Sequence, residues 1–303
     1  MSEPRSALVR WGTYLQERFP LQSQGVLVAV FAGGALCAAH LLRDVPGWPP
    51  AAAFAVAALV VLGFFFQLRV ADEFKDAEAD RQYRPLRPVP RGLVTLRALA
   101  AAGLGVAVVQ LALVVLFDLR LLPYLGLVWG FGALMSVEFF ARTWLEERPW
   151  AVLVSHGLVV PLIALFAAAC DGWAAWPGGL GRLLAASWFT GTVIEVGRKV
   201  RAPDDEELGV ETYSAAWGRG RAVSVWLGAV GLACGAAVGF GAAAGTVGLV
   251  AGALAPVLLL CVGAAVQFLR RPVAGAGRWI EGAAALWTLA LYVVVGPLAL
   301  LLR

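Results

Sequence analysis

Asp72, Asp76 and Asp80 recur at every fourth residue in the stretch DEFKDAEADRQYRPLRPVPRG, residues 72–92. On a helix that spacing predicts a single acidic face, where like charges repel unless a cation sits among them. Arg81, Arg84, Arg87 and Arg91 follow at once, and Pro85, Pro88 and Pro90 end the helix. Carboxylates beside arginines suit a magnesium-bound diphosphate. Mg²⁺ takes oxygen ligands, keeps several waters and needs only one or two carboxylates per ion. Guanidinium groups reach phosphate oxygens directly. A second charged stretch, EVGRKVRAPDDEELGVETYSAAWG, covers residues 195–218. In it Glu195, Asp204, Asp205, Glu206 and Glu207 predict a second bank of acids. Arg198, Lys199 and Arg201 predict phosphate contacts, as do Arg84 and Arg87 in the first stretch. Tyr213 adds a hydroxyl for a phosphate oxygen.

A diphosphate leaves as a group only when its charge is neutralised. If the remainder is an allylic carbocation, water must be kept out and aromatic faces must stabilise the charge. Phe64, Phe65, Phe66, Trp188 and Phe189 lie within one to two turns of the acids along the chain. His156 is the candidate general base for deprotonating an acceptor or a carbocation. Glu138 is an acid near a membrane edge, with Arg142 four residues on as its expected helical partner. Glu281 carries a weaker expectation of the same kind, and His40, near the opposite face, is expected to have no catalytic role.

The elements that position these residues are hydrophobic. The chain has 303 residues, of which 60% are hydrophobic and 15% charged, and a mean hydropathy of +0.79. Those values exclude an ordinary soluble domain and predict an all-α polytopic membrane bundle, one integral membrane domain over 1–303. We read nine spans of membrane-crossing length, at about 24–43, 51–70, 93–117, 121–141, 150–170, 180–200, 221–241, 245–269 and 280–302. The motif-bearing halves are about 20–120 and 121–303. Gly- and Ala-rich runs such as GAVGLACGAAVGFGAAAG allow close helix approach in a bilayer. With nine spans, 20 of the 24 Lys and Arg residues fall on one side, leaving only Arg43, Arg120, Arg182 and Arg303 on the other. The positive-inside rule then predicts an inner-membrane protein with its N-terminus and both acidic stretches cytoplasmic. The same asymmetry accounts for the net charge of +4 without nucleic-acid binding. Cys37, Cys170, Cys234 and Cys261 lie in or beside apolar segments without metal-ligand spacing and read as small core residues.

The stretch at 72–92 resembles the UbiA superfamily of intramembrane prenyltransferases. That family carries an Asn-Asp-x-x-Asp-x-x-x-Asp signature at the cytoplasmic end of the second of nine helices, followed by an RPxRP…G run. Here Asp72, Glu73, Asp76 and Asp80 stand at the signature positions, then Arg84-Pro85-x-Arg87-Pro88 and Gly92. The resemblance implies Mg²⁺ at Asp72, Glu73, Asp76, Asp80 and Asp205, with Asp76 and Asp205 central to catalysis, and Glu195 and Asp204 of the second bank of acids stand beside them as candidate metal ligands. The family's second motif, DxxxD followed by Gly and Thr, is half present. Anchored on Gly209 and Thr212, its second Asp is Asp205 and its first position holds Arg201. The implied partners are a prenyl diphosphate donor, a lipophilic or aromatic acceptor, and membrane lipid around a central cavity. The altered second motif keeps open a terpene cyclase that ionises the diphosphate without a second substrate. A transporter with an acidic cation site would place charges at mid-membrane depth, and the span middles are apolar.

Overall fold

The computed structural model describes residues 6–172 and 175–303, and among them the only regular elements are helices. An amphipathic helix, α1 (Ala7–Arg18), precedes the bundle. Then come α2 (Leu21–Leu42), α3 (Ala51–Lys75), the short α4 (Ala77–Tyr83), α5 (Leu96–Phe117) and α6 (Leu122–Ser136). After α7 (Arg142–Glu146), α8 (Pro149–Gly157) and α9 (Val159–Ala169) together make one crossing, and α10 (Leu180–Gly197) the next. The chain finishes with α11 (Tyr213–Trp217), α12 (Arg219–Ala243), α13 (Val247–Arg270), α14 (Gly277–Val293) and α15 (Ala299–Leu301).

Eight segments of the described chain are long and apolar enough to cross a membrane. The ninth traverse is α10. Its 18 residues extend about 27 Å at 1.5 Å per residue, but Arg182 and Glu195 lower its hydropathy. Both sit in its end turns, Arg182 exposed at the start and Glu195 half-buried at the finish, so the middle of the helix stays free of charge. The side-chain contacts fix two faces. On one, Arg303 at the C-terminus donates to the Leu41 carbonyl at 3.0 Å, and Asp171 joins His40 and Arg43, each at 2.6 Å. On the other, α1 meets the end of α3 and the loop after α4. The chain's two ends therefore lie on opposite faces, as an odd number of crossings requires.

Small residues and buried amides hold the bundle together. A Cβ at Gly296 would fall 2.4 Å from the Gly34 carbonyl oxygen, so α2 and the π-helical turn at Val294–Leu298 cross backbone on backbone. Gln110 donates to the Val60 carbonyl at 2.8 Å and accepts from Trp129 Nε1 at 3.2 Å, clasping α3, α5 and α6 inside the apolar layer. Cys37, Cys170 and Cys261 are buried.

Two observed breaks differ from uniform spans. The α3 helix runs to Lys75, beyond the limit of residue 70, so Asp72 rides on the crossing helix itself. The fourth span stops at Ser136, short of residue 141, because Glu138, Phe139 and Phe140 all take left-handed φ values of 50°, 51° and 58°. Three such non-glycine residues cost about 1–3 kcal/mol each and persist only where the surroundings hold them.

Candidate active site

The acidic helix of the first stretch is not continuous. It breaks at Asp76, which both ends α3 and begins α4. Asp72 and Asp76 stay together at the helix end, close enough to interact electrostatically, and both are partly exposed. Asp80 is carried away from them. It is 2% exposed, with both carboxylate oxygens 2.7 Å from Arg87 Nη1 and one 3.4 Å from Arg84 Nη1. The RPLRP segment thus folds back onto Asp80, and Arg84 and Arg87 spend their charge there. Glu73, also buried, turns toward α1 and pairs with Arg18.

The second stretch meets the first at a glycine. Gly209 has φ +75°, and a Cβ there would overlap the Tyr83 ring at 2.5 Å. Only a residue without a side chain lets the aromatic ring ending α4 seat on this loop. From the same side the end of α10 brings Glu195, Arg198 and Lys199. Arg198 Nε donates to Glu195 Oε2 at 2.7 Å, Lys199 Nζ lies 2.9 Å from Glu195 Oε1, and Arg198 and Asp72 are in electrostatic range. Tyr213 is buried beside them, with Lys199 Nζ 5.6 Å from its ring centre. Burial, and then the Glu195 carboxylate, push the Tyr213 hydroxyl above the ordinary tyrosine range, so it remains a hydrogen-bond donor.

The rest of the loop is occupied internally. Asp205 accepts from the Gly275 amide at 2.7 Å. Glu206 accepts from Thr212 at 2.6 Å and Ser214 at 2.7 Å. Arg201 reaches the Asp205 carbonyl and Glu207, each at 3.3 Å. Asp204, Asp205, Glu207, Arg201, Arg278 and Glu281 border a separate polar cavity of about 520 Å³. The structure thus gathers Asp72, Asp76, Glu195, Arg198, Lys199 and Tyr213, and gives Glu73, Asp80, Asp205, Arg84, Arg87 and Arg201 other partners.

His156 and Glu138 form a group that sequence spacing pairs differently. The break after α6 removes the i+4 geometry expected of Glu138 and Arg142, and Arg142 bonds Glu146 instead, at 2.7 Å. Glu138, 8% exposed, pairs with Lys75 and lies 3.2 Å from His156 Nε2. The Phe139 ring meets the imidazole edge-on at 5.7 Å. These residues come from three different spans, so no local spacing announces the contact.

An apolar cavity of about 410 Å³ lies between α3, α5 and α6, on a face of α3 beside the one that carries Asp72 and Asp76 and not lined by either. Phe64, Leu68, Ala71, Phe74 and Trp129 are among its walls. Of the other aromatics, Phe65 packs on Phe31, Phe66 on Phe19, and Trp188 stacks with Phe189.

Among the described residues no three acidic, histidine or cysteine side chains group into a cage for a cation. Asp72 and Asp76 nonetheless fit Mg²⁺, which needs only one or two carboxylates when substrate oxygens and water complete its shell.

The fold has solved counterparts. The structure of a UbiA homologue from Aeropyrum pernix K1 matches with a TM-score of 0.67 and 16% identity, over 92% of this chain and 98% of that one. A UbiA homologue from Archaeoglobus fulgidus, bound to DMAPP and Mg²⁺, matches at 0.58 and 12%, over 93% and 98%. Digeranylgeranylglyceryl phosphate synthase matches at 0.58 and 15%, over 94% and 98%. None of the curated protein sequences matches. The profile of the UbiA prenyltransferase family covers residues 26–289, and the chain belongs to that membrane-embedded family.

Proposed function

We propose that this protein moves an isoprenyl group from a prenyl diphosphate to a lipophilic or aromatic acceptor inside the membrane, with Mg²⁺, on the cytoplasmic side of an inner membrane. The observation that carries the reading is the meeting of Asp72 and Asp76 with Arg198, Lys199 and Tyr213 at the end of α3, a helix whose neighbouring face lines an apolar cavity. The solved homologue with DMAPP and Mg²⁺ supports the same donor chemistry. Asp72 and Asp76 would hold Mg²⁺, which when bound supplies positive charge against the departing diphosphate. Arg198 and Lys199 supply fixed cations at the other side of the group, and Tyr213 donates a hydrogen bond. The cavity walls exclude water from the prenyl chain, with Phe64 and Trp129 presenting aromatic faces. His156 stands near these groups as the candidate base.

Purified protein incubated with C10 to C20 prenyl diphosphates and Mg²⁺ should release pyrophosphate. No release with any donor would reject the reading. Mass spectrometry of products formed without an acceptor separates the two chemistries: a terpene hydrocarbon or alcohol there assigns a cyclase, and release that needs an acceptor assigns a transferase.

A further inference from the structure

Glu73 stands at a signature position, yet it is 1% exposed and faces away from Asp72. Neighbouring helix positions point about 100° apart, which directs Glu73 sideways, toward α1. There Arg18 Nε donates to Glu73 Oε1 at 2.5 Å. The same helix grips this end of the molecule at three other points. Tyr14 is fully buried in a small apolar cluster with Val70, Val94 and Leu99. Arg10 Nε donates to the Leu93 carbonyl at 2.8 Å. Glu17 accepts from Arg91 at 2.7 Å, and Arg91 also holds the Leu86 carbonyl at 2.8 Å. Just past α1, Phe19 packs edge-on to Phe66 at 5.6 Å. So α1 ties the end of α3 to the loop at 84–95, the two segments that carry the first motif.

We propose that Glu73 is a positioning residue locked by α1, and that the Arg18–Glu73 pair sets the aim of Asp72 and Asp76 at the second charged segment. This rests on the diphosphate reading above. A buried carboxylate cannot leave its guanidinium without stranding two charges, so the pair fixes the rotation of the helix end. Glu73 is then spent as a cation ligand, and the signature works here with Asp72 and Asp76.

The test is pyrophosphate release from the C10 to C20 donor that the wild-type protein uses best, measured across Mg²⁺ concentrations. Glu73→Arg and Arg18→Glu should each lower the rate at least about tenfold, because each leaves an unpaired buried charge. The double swap Arg18→Glu/Glu73→Arg, or the apolar pair Arg18→Met/Glu73→Leu, should recover to within about threefold of wild type, since a restored or replaced pair removes that penalty. The Mg²⁺ concentration for half-maximal rate should stay that of wild type. If both double variants stay as impaired as the single ones, or need about tenfold more Mg²⁺ as loss of a ligand would require, Glu73 is a ligand and the proposal falls. Full activity in the single variants also overturns it. A wild-type protein that releases no pyrophosphate fails earlier, at the functional reading, and is told apart by that control.

Discussion

Asp72 and Asp76 differ from Asp80 in what each already holds, although all three share one spacing. Asp80 is satisfied by two arginines and shut from solvent, while Asp72 and Asp76 remain partly exposed at the break between α3 and α4. Asp72→Ala or Asp76→Ala is therefore expected to cut pyrophosphate release by about a hundredfold or more, the scale set by removing one charge-stabilising group from a preorganised site. Chelation of Mg²⁺ should abolish release in the wild type. Asp80→Ala should instead appear in stability, at about 3–5 kcal/mol, because Arg84 and Arg87 lose their buried counter-charge. A thermal melt in detergent checks this; an unchanged melting temperature would place Asp80 among the functional groups. The acid and base types were legible from residues 72–92 and 195–218, but not which of them would be consumed as structural partners. That outcome depends on RPLRP folding back and on α1 packing across, and both are tertiary events.

At the scale of elements, the two motif stretches meet because one ring lies on one glycine. Gly209→Ala would add both a left-handed strain and an overlap with Tyr83. The expected cost is about 1–3 kcal/mol for the backbone alone. It should lower activity with the end of α10 still folded, as separate measurements of rate and melting temperature would show. Gly209 was readable from the family pattern, whereas its partner Tyr83 was not, since nothing local links residues 83 and 209. The left-handed turn at Glu138–Phe140 was likewise hidden inside an apolar run that reads as uninterrupted helix. The lengths of the other spans followed from hydropathy, because unsatisfied backbone groups in lipid force continuous helices. α10 keeps its length with fewer apolar residues because its charged ones sit in its end turns.

Most basic residues of the described chain lie toward one side, and its two described ends lie on opposite faces. Reporters fused at each terminus should therefore respond from opposite compartments, with the N-terminal one cytoplasmic; both responding from one side would require an even number of crossings. Asp72, Arg198 and the polar cavity near Arg278 share the face richer in basic residues, which leaves two places where a diphosphate could rest. A structure with Mg²⁺ and a non-hydrolysable prenyl thiodiphosphate decides between them. The expected density lies between Asp72, Asp76, Arg198, Lys199 and Tyr213, with the prenyl chain descending into the apolar cavity. Density for the diphosphate in the cavity of Asp204 and Arg278 instead, away from Asp72, would contradict the account.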